Sequence, residues 1–156
     1  MARSNNDLFL WLFATGEETL EEAQIAKIDL AFQKIGLKPG QRLLDIGCGW
    51  GYACRRAVEV YGVTAVGLTL SQNQYEDAKG QSQGLTGVEY RLQGWETYRE
   101  RCDRIVSLGA FEHLTAAKYA AFFARCRELL SPGDLMLLQT ITIGKPSESF
   151  ALLRFA

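Results

Sequence analysis

From Thr19 onward the chain changes hydrophobic period again and again. Ile25, Ile28, Phe32 and Ile35 recur at three- and four-residue steps, which predicts an amphipathic helix. Thr19 and Glu22 have capping-box spacing at its start, and Gly36 suits its end. After the turn Lys38-Pro39-Gly40, residues 42–46 read as a short buried strand running into glycines. A helix over 52–61, a strand over 63–69, a helix over 71–79 and a weaker strand over 88–92 follow, with a polar linker at 80–87. Residues 104–108 predict a fourth strand, and 115–130 a helix whose Tyr119, Phe122, Phe123, Cys126 and Leu130 share one face. Beyond Ser131-Pro132-Gly133-Asp134, the nearly unbroken apolar run 135–142 fits a strand covered on both faces by helices. Strands alternating with helices imply an α/β fold: a doubly wound, mainly parallel sheet that binds ligands outside the carboxyl ends of its strands.

Composition narrows the functions open to such a fold. With 156 residues, 47% hydrophobic and 22% charged, the chain has the makings of one ordinary globular domain. A formal net charge of -1 supplies no basic excess to neutralise phosphates, so no nucleic-acid partner is expected. Cys48, Cys54, Cys102 and Cys126 lack CxxC spacing and His113 is the only histidine; no metal site is expected, and the thiols read as reduced and cytoplasmic. The apolar stretch 8–14 falls short of the roughly 20 residues that span a bilayer. With one leading Arg3, and with Glu17 and Glu18 following, it does not read as a signal peptide either.

Four loops carry the candidate chemistry. In Asp45-Ile46-Gly47-Cys48-Gly49-Trp50-Gly51 a strand runs into three alternating glycines and then a helix, letting backbone approach a ligand beside unpaired helix N–H groups. The spacing is GxGxG, which weakens a dinucleotide reading, and no phosphate-loop lysine follows. A tight turn in some other α/β protein remains an alternative. At the end of the second strand, Thr69-Leu70-Ser71-Gln72-Asn73-Gln74 holds no acid for a ribose, although Gln74 can both donate to and accept from a diol. Ser71 and Gln74 equally have the spacing of a helix cap. Gly94-Trp95-Glu96 offers a flat wall and an acceptor, or else a packing anchor and a rim residue. Glu112 and His113, after the fourth strand, are candidates for acid–base work or an anion site, with helix capping by Glu112 as the plainer reading.

The glycine loop resembles motif I of class I methyltransferases. The ordered series Thr19-Leu20-Glu21-Glu22-Ala23-Gln24, Gly47-Cys48-Gly49-Trp50-Gly51, Val66-Gly67-Leu68-Thr69-Leu70-Ser71, Gly94-Trp95-Glu96 and Gly109-Ala110-Phe111-Glu112-His113 resembles the cyclopropane fatty acid synthase family, and more closely its mycolic acid branch. The resemblance runs over 19–142, with 1–18 divergent and 19–156 expected to form the cofactor-binding domain. It implies a Rossmann-like fold that lacks the family's C-terminal antiparallel strands. S-adenosylmethionine would be held by Asp45, Gly47, Cys48, Gly49, Trp50, Gly51, by Thr69, Leu70, Ser71, Gln72, Asn73, Gln74, and by Gly94, Trp95, Glu96. The implied reaction carries the sulfonium methyl to the double bond of a lipid acyl chain, with Glu112 and His113 near the reacting centre and bicarbonate taking the proton. A dry pocket with a nearby negative charge suits the carbocation formed.

The chain departs from the family in three places. The family's Tyr-Ser-Cys segment before the Thr19 helix is absent, Gln139 stands where many mycolic members have a histidine, and residues 149–155 resemble the start of a helix that is cut off. Gln139 hydrogen-bonds but carries no charge, which weakens affinity for bicarbonate. A shortened family member is therefore expected. An exposed sheet edge open to self-association and peripheral membrane contact with the lipid substrate are expected too. A small-molecule methyltransferase on the same scaffold, a noncatalytic cofactor-binding remnant and, as an outsider, an NAD-type oxidoreductase are the other readings.

Overall fold

The structure, a computed structural model, describes residues 17–141. The expectations for residues 1–16 and 142–156 lie outside it. The first helix, α1 (Leu20–Lys34), starts at a true capping box: Thr19 Oγ1 accepts from the Glu22 amide at 3.3 Å, and the Glu22 carboxylate takes the Thr19 amide at 2.8 Å. β1 (Arg42–Ile46), α2 (Tyr52–Tyr61), β2 (Thr64–Thr69), α3 (Gln72–Gln81), β3 (Val88–Leu92), β4 (Arg104–Leu108), α4 (Ala116–Leu129) and β5 (Leu135–Gln139) follow, with a single 3-10 turn at Phe111–His113 before α4.

All five strands pair in parallel, in the order β3-β2-β1-β4-β5. The chain steps outward from β1 to β3, then returns to the other side of β1, so a crevice opens between the ends of β1 and β4. Alternation along the strands splits the core into two layers. Leu43, Ala65 and Val106 face α1, α2 and α3, packing on Phe32, Cys54, Ala57 and Ala78. Leu44, Val66, Leu68 and Ile105 face the other way, onto Tyr98, Phe122, Cys126 and Leu129.

Two expectations need correction. β5 is not covered on both faces: it is an edge strand with one neighbour among the described residues, and Leu135 is 46% exposed. On α4 the buried stripe is Phe122, Cys126 and Leu129, while Tyr119 and Phe123 are exposed and gather around Phe111, with Phe111 and Tyr119 stacked at 4.4 Å between centroids. The 3-10 turn brings Phe111 up against α4, giving these two rings an aromatic partner beside the core stripe.

Candidate active site

A cavity of about 540 Å³ lies over the carboxyl ends of β1, β2, β3 and β4, at the point where the strand order reverses. Its floor is the glycine loop. The amides of Gly47 and Cys48 both donate to Leu68 O at 2.9 Å, tying the loop to the end of β2, and the Gly51 amide closes the turn on Cys48 O at 2.9 Å. Gly47 and Gly51 sit at φ of 82° and 75°, where a side chain is strained. A Cβ on Gly47 would also collide with the Cβ of Ala110 across the crevice. The loop therefore presents bare backbone to the cavity because two separate constraints exclude side chains.

Asp45, almost fully buried, lines the cavity from β1 and receives the Cys54 thiol at 3.7 Å. Burial, and then the negative charge of Asp45, push the Cys54 thiol well above its ordinary range, so it stays protonated and donates. Ser107, buried on β4, donates to Ile46 O at 2.9 Å and fixes the last carbonyl of β1 before the loop.

At the end of β2 the alternatives for Ser71 and Gln74 separate. Ser71 Oγ accepts from the Gln74 amide at 3.4 Å and caps α3. The Gln74 side chain, however, does not close the cap: its Oε1 accepts from Thr69 Oγ1 at 2.8 Å, holding the amide group at the cavity wall. Leu70 is largely exposed beside it. Trp95 is both wall and anchor, since it lines the cavity while its ring meets Phe122 edge-on at 5.3 Å. Glu96 lines the cavity as well and pairs with Lys118 at 2.9 Å.

Not every expected residue reaches the cavity. Asp45, Gly47, Cys48, Gly49, Trp50, Thr69, Leu70, Ser71, Gln74, Gly94, Trp95, Glu96 and His113 do. Gln72 and Asn73 project outward from the first turn of α3, where Gln72 Nε2 donates to Glu76 at 2.6 Å, and Gly51 is buried beneath the loop. Glu112 does not line the cavity, and its Oε2 accepts from Thr140 Oγ1 at 3.0 Å. Spacing missed Lys27 on α1 and Lys118 on α4, whose helices come to the cavity from opposite layers; only three-dimensional packing reveals them.

The fold and these loops define a Rossmann-like α/β domain of the class I methyltransferase type. A family model described as mycolic acid cyclopropane synthetase matches residues 11–153. The chain belongs to that family. It is 51% identical over 139 residues to cyclopropane mycolic acid synthase 1 of Mycobacterium tuberculosis, covering 87% of this chain and 48% of the relative. The solved cyclopropane synthase MmaA2 from Mycobacterium tuberculosis superposes with a TM-score of 0.87 at 46% identity, covering 93% of this chain and 55% of that one. The mycolic acid cyclopropane synthase CmaA1 complexed with SAH and CTAB gives a TM-score of 0.84 at 46% identity over the same shares. The chain thus spans about half the length of the curated relatives it matches.

Proposed function

We propose that this chain binds S-adenosylmethionine across the ends of β1 to β4, for methyl transfer to a carbon–carbon double bond of a lipid acyl chain. The observation that carries the reading is the bare-backbone loop Gly47–Gly49 opposite the Thr69–Gln74 pair in one cavity. Such a cleft suits a ligand with an amino-acid end and a nucleoside end. Asp45 and the backbone of Gly49 and Trp50 would hold the amino-acid part, the Gln74 amide a ribose hydroxyl, and Trp95, Leu70 and Glu96 the base. Bound there, the cofactor supplies an electrophilic methyl group. The apolar side chains of Leu68, Leu108 and Leu114 would limit the water around it.

Glu112 Oε1 and Gln139 Oε1 are buried acceptors with no hydrogen-bond partner among the described residues. They could take the hydroxyl of a bicarbonate, and the Gln139 amide could donate to it, but neither side chain brings the positive charge that would hold the anion firmly.

The substrate reading draws support from the family and from the lipid-modifying relatives. No helix among the described residues is long and apolar enough to cross a membrane. The half-exposed β5 edge supports self-association as a further property, and four buried cysteines that form no disulfide among the described residues suit a reducing cytoplasm.

Calorimetric titration with S-adenosylmethionine tests the cofactor, with Gly49→Trp as the variant that fills the loop. Saturable binding, lost in the variant, is expected; a folded chain that binds nothing overturns the reading. Transfer of labelled methyl to vesicles of monounsaturated phospholipid, but not of saturated phospholipid, then tests the acyl double bond.

A further inference from the structure

Two cavity-lining side chains meet as an ion pair. Glu96 comes from the loop after β3 and Lys118 from the first turn of α4, with Nζ 2.9 Å from Oε1. Stability gives little reason for it. The side chains are 42% and 56% exposed, and water screens such a pair enough that it adds only marginally to the stability of the fold. The loop is already anchored by the Gln93–Thr97 hydrogen bond and by buried Tyr98.

What the pair does accomplish is orientation. Oε1 is engaged by Lys118, and Oε2 lies back over Gly94, 2.5 Å from where a Cβ on that residue would sit. The carboxylate is thereby laid along the cavity wall beside Leu70 and Trp95. Burial works to raise its pKa, yet the hydrogen bond from Lys118 and the Glu96 backbone outweigh this and hold it below the usual carboxylate range. An anion fixed beside two apolar surfaces is an acceptor aimed at the edge of a flat heterocycle. An exocyclic amine donates to it; an exocyclic carbonyl repels it.

We propose that Lys118 is a positioning residue for base selection: by holding Glu96 in place it makes the nucleoside end of the cavity accept a 6-aminopurine and reject a 6-oxopurine. The proposal rests on the cofactor reading above and adds to it a residue on α4 that controls which base enters.

The test is calorimetric titration of the full chain with S-adenosylhomocysteine and with its hypoxanthine counterpart, S-inosylhomocysteine. Wild type should prefer the amino ligand by about 10- to 100-fold, as expected where a good contact is replaced by two facing acceptors. Lys118→Met should cut that preference by about 5-fold, mainly by weakening the amino ligand, and Lys118→Arg should retain most of it. In a Glu96→Gln background the preference should already be small, and Lys118→Met should change it no further. Equal losses for both ligands in Lys118→Met, or no loss, overturn the role of Lys118 while leaving the cofactor reading intact. Failure of wild type to bind either ligand overturns both.

Discussion

Tyr90 reaches from β3 beneath the glycine loop, where its hydroxyl donates to Gly51 O at 3.0 Å and lies 3.1 Å from Ser82 Oγ. Burial raises the phenol far above its ordinary range, so it remains a donor at neutral and mildly alkaline pH. Its ring also occupies the space a side chain on Gly51 would need, with ring and hydroxyl atoms 2.6–2.7 Å from that Cβ position. Gly51→Ala therefore combines a positive φ with overpacking and should cost about 2–4 kcal/mol. Tyr90→Phe removes only the hydroxyl and should cost about 1–2 kcal/mol, equally at pH 5 and pH 9. Urea denaturation checks both; the account is wrong if Gly51→Ala is no less stable than Tyr90→Phe. The GxGxG spacing was legible because it is local. Tyr90 and Ser107 were not, since they act on carbonyls 39 and 61 positions away and nothing in their own neighbourhoods marks them.

Among elements, legibility followed the number of independent local signals. α1 had periodicity, a cap and a stop, and its capping box is present in full. β1, α2, β3 and β4 fall where the apolar runs predict them. β5 misled because an apolar run does not distinguish a central strand from one with a single neighbour among the described residues. Nor does periodicity reveal what clasps α1 to α2. Asp29 accepts two hydrogen bonds from Arg56 at 2.6 Å each and one from Tyr61 at 3.0 Å. The Arg56 bond chiefly holds its carboxyl below the ordinary value, against desolvation. A depressed folded pKa stabilises the protein above the unfolded value and loses that contribution as pH falls through the folded one. Asp29→Asn should thus cost about 1–2 kcal/mol at pH 7 and progressively less below about pH 4. Chemical denaturation of both proteins from pH 7 to pH 3 reads this out; a difference that widens on acidification contradicts the clasp.

For the whole molecule, the cavity joins parts that the sheet alone leaves loosely coupled. Its walls come from loops after four strands and from α1 and α4 on opposite layers, so a ligand there touches both halves of the core at once. Occupancy should then be felt as global stability. At a hundredfold excess over its dissociation constant, a ligand that binds only the folded chain adds about 2.7 kcal/mol. For a chain of this size each kcal/mol raises Tm by roughly 2–4 °C, so S-adenosylhomocysteine at that excess should raise Tm by about 5–10 °C. The rise should continue logarithmically with concentration, because it reflects mass action. Homocysteine or adenosine alone reaches only one end of the cavity and should give a smaller shift at the same concentration. Differential scanning calorimetry over a concentration series decides the matter. If adenosine alone matches S-adenosylhomocysteine, the glycine-loop end is not holding the amino-acid part; a Tm indifferent to all three means the cavity does not bridge the two layers through this ligand.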